Sequence, residues 1–134
     1  MLNENEVYQL LKPYVENLGW IVLGGEPPGG TDHIPVIELK DPANLSGGSK
    51  GSKKIDLVFF RDNNFLLLEL KEIFAQSDVD KLDDIVSSDV WQKSFFNAMF
   101  EKDNFIYLSV NSRYLIIFST KSTKYCLPLL VSFS

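Results

Sequence analysis

Three charged side chains interrupt an otherwise hydrophobic segment, KKIDLVFFRDNNFLLLELKE, at residues 53–72. Asp56 lies in its first apolar run, and Glu69 and Lys71 lie in the second. Two carboxylates that come together in a buried region repel each other and resist removal from water. A lysine relieves part of that repulsion, and a divalent cation relieves more. Because Mg²⁺ prefers hard oxygen ligands and is commonly held by one or two carboxylates plus waters, the segment is a candidate magnesium site.

A β-hairpin is the structure predicted to bring these charges together. Asp and Asn tolerate the left-handed backbone of tight turns, so we expect a two-residue loop at 62–63. The side chains of a strand alternate, so this loop places Asp56 opposite Glu69, with Lys71 on the same face. A loop at 63–64 keeps that face and moves Asp56 opposite Lys71. The other face is wholly apolar, so we expect helices on both sides of the hairpin: Ile55, Leu57, Phe59, Leu66, Leu68 and Leu70.

The segments on either side predict a mixed α/β (α+β) domain with a central sheet. Residues 3–18 have the apolar spacing of an amphipathic helix, with Asn3 or Asn5 as its cap and a kink or break at Pro13. Its predicted buried face consists of Val7, Leu10, Leu11, Tyr14, Val15 and Leu18. Residues 77–100 predict one or two helices capped by Ser77 or Asp78, with Asp89 capping a second. Extended segments are predicted at 20–25, 34–40, 105–110, 114–120 and 125–133, and a Gly/Ser/Lys-rich loop at 41–54.

Composition limits the class of protein. The 134 residues suit a single domain spanning 1–134, and 45% hydrophobic with 23% charged residues is ordinary for a folded protein. A net charge of −5 argues against coating nucleic acid through bulk charge. No apolar run approaches the roughly 20 residues that span a bilayer, and the N-terminus lacks the pattern of a secretory signal, so no membrane partner is expected. The lone Cys126 fits a reducing compartment, and hence the cytoplasm.

The hairpin resembles the core motif of the PD-(D/E)XK nuclease superfamily, which has the restriction-endonuclease-like fold. In that family an acidic residue on one strand and Glu-x-Lys on the next form the site, matching Asp56, Glu69 and Lys71. The order of the predicted elements also resembles the family's α-β-β-β-α-β core, a mixed sheet flanked by helices. Ile55 stands where the name-giving proline would be. Family members often add a glutamate from the first helix, for which Glu6 is the first candidate and Glu4 the second.

The resemblance implies Mg²⁺-dependent hydrolysis of phosphodiester bonds, with Mn²⁺ as a substitute and DNA as the expected substrate of an endonuclease. It implies that Asp56, Glu69 and the carbonyl of Leu70 hold the metal, while Lys71 positions the attacking water or stabilises negative charge. Nearby lysines could steer a phosphate backbone: Lys40, Lys50, Lys53 and Lys54. A homodimer is a plausible arrangement for cutting both strands.

A second Glu-x-Lys offers a rival site formed by Asp32, Glu38 and Lys40. Pro35 interrupts its strand, so solvated charges on an edge strand are the favoured interpretation, although Glu38 could add a carboxylate to the metal. Two other functions stay open beside the nuclease. One is a catalytically silent relative that binds nucleic acid or protein, and the other is a subunit of an obligate complex. His33 and Gln76 are interpreted as surface and loop residues.

Overall fold

The first helix, α1 (Glu4–Asn17), begins at a capping box. The side chain of Asn3 accepts from Glu6 N at 2.9 Å, and the side chain of Glu6 accepts from Asn3 N at 2.7 Å. This reciprocal pair satisfies two backbone donors that a helix start leaves open. The helix continues through Pro13 and ends before Gly19, whose φ of 91° suits glycine. The predicted cap at Asn3 is confirmed, and no break occurs at Pro13.

A computed structural model describes residues 3–30, 32–41, 43–44, 51–62, 64–71, 75–103, 113–119 and 129–132, the last two segments and residues 100–103 by their backbone. After α1 come β1 (Ile21–Gly25), a 3₁₀ turn (Pro28–Gly30), β2 (Glu38–Leu39), β3 (Lys53–Lys54), β4 (Leu57–Arg61) and β5 (Asn64–Leu70). Then follow α2 (Gln76–Ser87), α3 (Asp89–Asp103), β6 (Arg113–Ser119) and β7 (Leu129–Ser132). The predicted strand at 105–110 and Cys126 lie outside the described residues.

Five strands form one mixed sheet in the order β1-β4-β5-β6-β7. The β1-β4, β4-β5 and β6-β7 pairs are antiparallel, and β5-β6 is parallel. A parallel pair needs a crossover connection, and α2 and α3 lie in the chain between β5 and β6. The short β2 and β3 pair separately as a two-stranded ribbon. The predicted mixed α and β class is confirmed.

The hairpin has the register expected from a two-residue loop. Phe60 pairs with Phe65, and Arg61 with Asn64. Asp62 adopts φ 50°, the left-handed conformation that a tight turn requires. This register places Asp56, just before β4, beside the end of β5.

Each face of the hairpin packs on a different helical layer. One face packs on α1, where Tyr8 and Val15 meet five side chains of the hairpin: Leu57, Phe59, Leu66, Leu68 and Leu70. The other face, with Val58, Phe65 and Leu67, packs on α2 and α3. The helices contribute five buried side chains to this contact: Leu82, Ile85, Val86, Phe95 and Met99. The expectation that both faces are covered is confirmed. Glu69 shares the alternation of the second face and meets Lys81 of α2. Ile55, predicted on the first face, packs instead with the α2-α3 side, because it precedes β4 and the alternation is interrupted there.

The buried face of α1 matches the prediction at Val7, Leu11 and Val15 and differs from it elsewhere. Tyr8 is 2% exposed, whereas Leu10, Tyr14 and Leu18 are 62%, 61% and 51% exposed. The hydroxyl of Tyr8 donates to Asp32 Oδ2 at 2.6 Å, so a buried tyrosine satisfies its polar end there. The helix is therefore turned so that Tyr8, rather than Leu10, Tyr14 and Leu18, meets the sheet.

The start of α2 also differs from the expectation. Its cap is Ala75, which has no side-chain hydrogen bond, and neither Ser77 nor Asp78 fills that position. The helix begins earlier, with Gln76 donating from Nε2 to Asp80 Oδ1 at 3.0 Å. Asp89 is the first residue of α3. In the part of the chain that the structure describes, no helix is both long and apolar enough to cross a membrane.

Two tyrosines on α1 provide a matched test of this packing. We expect Tyr8→Ala to lower the free energy of unfolding by about 3–5 kcal/mol, because it empties a buried aromatic site. Tyr14→Ala should change it by less than about 0.5 kcal/mol, because that ring is mostly in solvent. Urea denaturation of both variants measures the difference. Similar losses in the two variants would contradict the observed helix orientation.

Candidate metal-binding site on the hairpin

The backbone at Asp56 is fixed by the end of β1. Its carbonyl accepts a hydrogen bond from Glu26 N at 2.9 Å. Gly25 lies so close to the same carbonyl that a Cβ at this position would collide with it. A glycine is therefore needed for β1 to approach the hairpin here. Gly25 is not among the site residues predicted from the sequence.

The Asp56 carboxylate reaches across the hairpin. Its Oδ2 accepts from the backbone N–H of Leu70 at 2.7 Å, which ties the start of β4 to the end of β5. Burial raises the pKa of Asp56, and this hydrogen bond opposes the rise by favouring the charged form. The bond engages one carboxylate oxygen and directs the side chain toward the end of β5.

Glu69 is the one buried charged residue in the described core, with 0% exposure. Lys81 Nζ lies 2.8 Å from its Oε1. This contact is an ion pair of poor hydrogen-bond geometry, and neither oxygen of Glu69 accepts a well-aligned hydrogen bond from the described residues. Burial, followed by the negative charge of Asp56, raises the pKa of Glu69 to about 8. One lysine therefore compensates this carboxylate incompletely.

Lys81 is a site residue that the sequence analysis missed. It projects from α2, and its Nζ also donates to the carbonyl of Lys54 at 2.9 Å. Its position precedes the buried Ile85 by one helical turn, so the spacing places both on one face. This spacing is the feature of the sequence from which Lys81 could have been predicted to face the hairpin. The ion pair itself depends on where α2 packs against the hairpin.

Lys71 lies at the end of the same strand face, where it is partly buried. It makes no ion pair within 4.0 Å among the described residues. Burial by itself lowers the pKa of Lys71, but attraction to Asp56, Asp78 and other carboxylates gives a net rise. Lys71 therefore stays charged while its ammonium remains available for a ligand.

A pocket of about 560 Å³ opens beside Asp56. The 3₁₀ turn forms one of its walls. Its acidic lining comes from three parts of the chain, namely the start of α1, the connection from β1 to β2 and the residue before β4: Glu4, Glu26, Asp32 and Asp56. Such a concentration of carboxylates in a concave site favours cations over anions.

The structure does not bring Glu6 to this pocket. Glu6 is exposed and engaged in the capping box with Asn3. Glu4, the second candidate, lines the pocket with Asp56 and is one of the carboxylates that raise the pKa of Lys71. Residues two positions apart point to nearly opposite sides of a helix, so Glu4 and Glu6 do not both face the pocket.

Three of the four lysines expected to steer a phosphate backbone lie close to carboxylates. Lys53 lies 3.4 Å from Asp84 Oδ2 and 4.6 Å from the centre of the Trp91 ring. Lys54 lies 3.0 Å from Glu26 Oε1. Lys40 lies 3.8 Å from Glu38 Oε2, and Lys50 is outside the described residues. Neutralised lysines attract a phosphate backbone less than free ones would.

The rival carboxylates have partners of their own. Asp32 accepts from Tyr8, and this hydrogen bond leads the lowering of its pKa. Lys12 Nζ lies 3.5 Å from the same oxygen of Asp32. Glu38 Oε1 accepts from Ser52 Oγ at 2.6 Å, in the β2-β3 ribbon. Asp32 shares the pocket with Asp56, whereas Glu38 is not among the residues that line it, and His33 is exposed.

The donor set on the hairpin fits a hard divalent cation. Glu69 provides two buried oxygens that lack well-aligned hydrogen bonds, and Asp56 lies beside it. Magnesium is commonly held by one or two carboxylates with waters completing its shell. No group of three or more His, Cys, Asp or Glu side chains in the described segments is arranged to hold a metal. A cation here would therefore rest on Asp56, Glu69 and neutral oxygens such as the Leu70 carbonyl.

Comparisons of the chain with models of known protein families, with curated proteins and with solved structures give no match. The functional interpretation therefore depends on the site itself.

The raised pKa of Glu69 predicts the pH dependence of stability in the presence of a chelator. The folded protein holds this proton up to about pH 8, whereas the ordinary pKa is 4.5. Between these values the folded state binds more protons than the unfolded state, so the free energy of unfolding should fall as pH rises. The slope from this group approaches about 1.4 kcal/mol per pH unit.

The Glu69→Gln variant should flatten that decline, because glutamine does not titrate. Glu16→Gln, which changes an exposed glutamate on α1, should leave it in place. Urea denaturation from pH 5 to pH 8, a window set by the unfolded and folded pKa values, measures all three proteins. An equally steep decline in Glu69→Gln would show that another group is responsible.

Proposed function

We propose that the protein is a metal-dependent nuclease of the restriction-endonuclease-like class, with its site at the end of the β4-β5 hairpin. The observation that carries the proposal is the placement of Glu69. A fully buried carboxylate, with no well-aligned hydrogen bond from the described residues, lies beside Asp56 at the end of a strand. An incompletely compensated buried charge is destabilising, so such an arrangement favours a function that uses it.

The order of the elements supports this class. If the β2-β3 ribbon is counted as an insertion, the other elements before β7 follow an α-β-β-β-α-β order: α1, β1, β4, β5, the α2-α3 pair and β6. The sheet is mixed and has helices on both faces. Both features support the resemblance. Glu69 lies on β5, while Asp56 immediately precedes the adjacent β4 and Lys71 immediately follows β5.

Positive charge at the end of the hairpin favours an anionic substrate. The charged Lys71 is attracted to Asp56 there, and a bound divalent cation would add two positive charges. A phosphodiester carries one negative charge, so the loaded site would attract it.

Each residue then has a distinct role. Asp56, Glu69 and the Leu70 carbonyl would hold Mg²⁺, or Mn²⁺ as its substitute. When bound, the cation polarises the phosphate and lowers the pKa of a bound water. Lys71, which remains charged and has no close ion-pair partner among the described residues, would stabilise negative charge that develops on the phosphate. The substrate we propose is DNA, and a homodimer would present two such sites to a duplex.

A second function, as a subunit of an obligate complex, is favoured by the paired lysines. Lys53, Lys54 and Lys40 already contact carboxylates, and the pocket beside Asp56 is acidic. A partner could therefore supply the basic surface for nucleic acid. A catalytically silent member of the class would bind without cutting.

Cleavage assays test the nuclease proposal directly. We expect the protein to cut plasmid, linear duplex or single-stranded DNA in the presence of Mg²⁺ or Mn²⁺, and to stop cutting with a chelator. Lys71→Ala should lower the rate by about a hundredfold or more, because it removes a charge that stabilises the transition state. Glu69→Gln should have a comparable effect, through loss of a metal ligand.

Two matched variants control for the rival site and for general loss of charge. Glu38→Gln removes the carboxylate of the second Glu-x-Lys, and Lys93→Ala removes an exposed lysine on α3. Both should cut at the rate of the unmodified protein. Loss of cutting in Glu38→Gln together with full activity in Lys71→Ala would move the active site to the β2-β3 ribbon. Binding without cutting under all conditions would favour the silent or obligate-partner function.

A further inference from the structure

The ion pair between Glu69 and Lys81 occupies the place where a bound cation would contribute its charge. Lys81 is the one cationic group within 4.0 Å of Glu69 among the described residues, at 2.8 Å. Its ammonium is therefore the counter-ion of this carboxylate whenever the carboxyl is ionised and no metal is bound. A single positive charge compensates Glu69 only partly, because the negative charge of Asp56 lies close to the same site.

A lysine ammonium and a divalent cation are poorly compatible at one buried carboxylate. Both are positive, and repulsion between charges a few ångströms apart is strong where water is excluded. The ammonium of Lys81 can also move away from Glu69. Its side chain is 22% exposed on a flexible four-carbon stem, and its other contact is the neutral carbonyl of Lys54.

We propose that Lys81 is an internal counter-ion that stands in for the metal and moves away from Glu69 toward solvent when a divalent cation binds. This inference rests on the proposed function, because it assumes that Asp56 and Glu69 receive the cation. It adds a role that differs from that of Lys71. Lys71 has no ion pair within 4.0 Å among the described residues, so it need not move.

Amine labelling with mass spectrometry tests the movement without relying on catalysis. The full-length protein is treated with a lysine-acylating reagent in chelator, in Mg²⁺ and in Ca²⁺. Thermal unfolding of the same samples reports whether the cation binds, because a ligand of the folded state raises the melting temperature. We expect the labelling rate of Lys81 to rise severalfold with the cation. The rate at the exposed Lys93 should stay constant.

Three variants test the competition between the ammonium and the metal. Cation affinity is measured by calorimetry at pH 8, with Mg²⁺ and Ca²⁺ as the probes. Lys81→Met should bind the cation about tenfold more tightly or better, because a neighbouring positive charge is gone. Lys81→Arg keeps the charge and should match the unmodified protein. Lys93→Met should also match it, which controls for loss of overall charge.

The outcomes separate this inference from the proposed function. A rise in melting temperature with Lys81 still protected, or weaker cation binding by Lys81→Met, would overturn the counter-ion role and leave the metal site standing. Cation binding by Lys81→Met alone would also overturn the proposed movement, because the lysine of the unmodified protein would then not yield to the metal. No cation binding by any of the proteins would overturn both. Circular dichroism of each variant verifies that it is folded.

Discussion

The burial of a carboxylate at the end of the central hairpin is the constraint on which the site depends. Glu69 has no exposed surface, and it lies beside a second carboxylate, Asp56. Removing a charge from water is unfavourable unless partners replace the lost hydration. Here the replacement from the described residues is one lysine in an ion pair of poor hydrogen-bond geometry. A cation or a proton must supply the remainder, and this requirement connects the fold to the proposed chemistry.

Three elements converge to hold this arrangement. Strand β1 ends at Gly25, whose missing side chain lets it approach the Asp56 carbonyl. Strand β5 provides Glu69 and, through the Leu70 N–H, fixes the Asp56 carboxylate. Helix α2 packs on the same face and provides Lys81. The site is therefore assembled from rigid elements, which suits a function that requires fixed ligand geometry.

The hairpin and its register could be predicted from the sequence, because both depend on local rules. Alternating side chains and a two-residue turn determine which residues face each other, and Asp62 adopts the backbone conformation that such a turn requires. The shared location of Asp56 and Glu69 follows from that register. The division of the hairpin faces between helical layers was also predictable, because both faces are apolar over most of their length.

Features that depend on packing between elements were not predictable in the same way. The apolar residues of the first helical segment allowed more than one buried face, and the hydrogen bond from Tyr8 to Asp32 accompanies the face that is observed. Glu4 rather than Glu6 lines the pocket, because the capping box engages Glu6. Lys81 comes from a separate helix, so its pairing with Glu69 depends on how α2 docks. The spacing of apolar residues along one helix limits the contacts that it can make with other elements, but it does not select one of them.

Anomalous diffraction from crystals soaked in Mn²⁺ would test the central claim most directly. If the hairpin carboxylates form a cation site, a strong anomalous peak will lie in contact with oxygens of both Asp56 and Glu69. The Glu69→Gln protein, soaked in the same way, should lose that peak. An empty site at saturating Mn²⁺, with Glu69 still paired to Lys81, would contradict the claim. The charged cluster would then be an internal ion-pair network of the sheet.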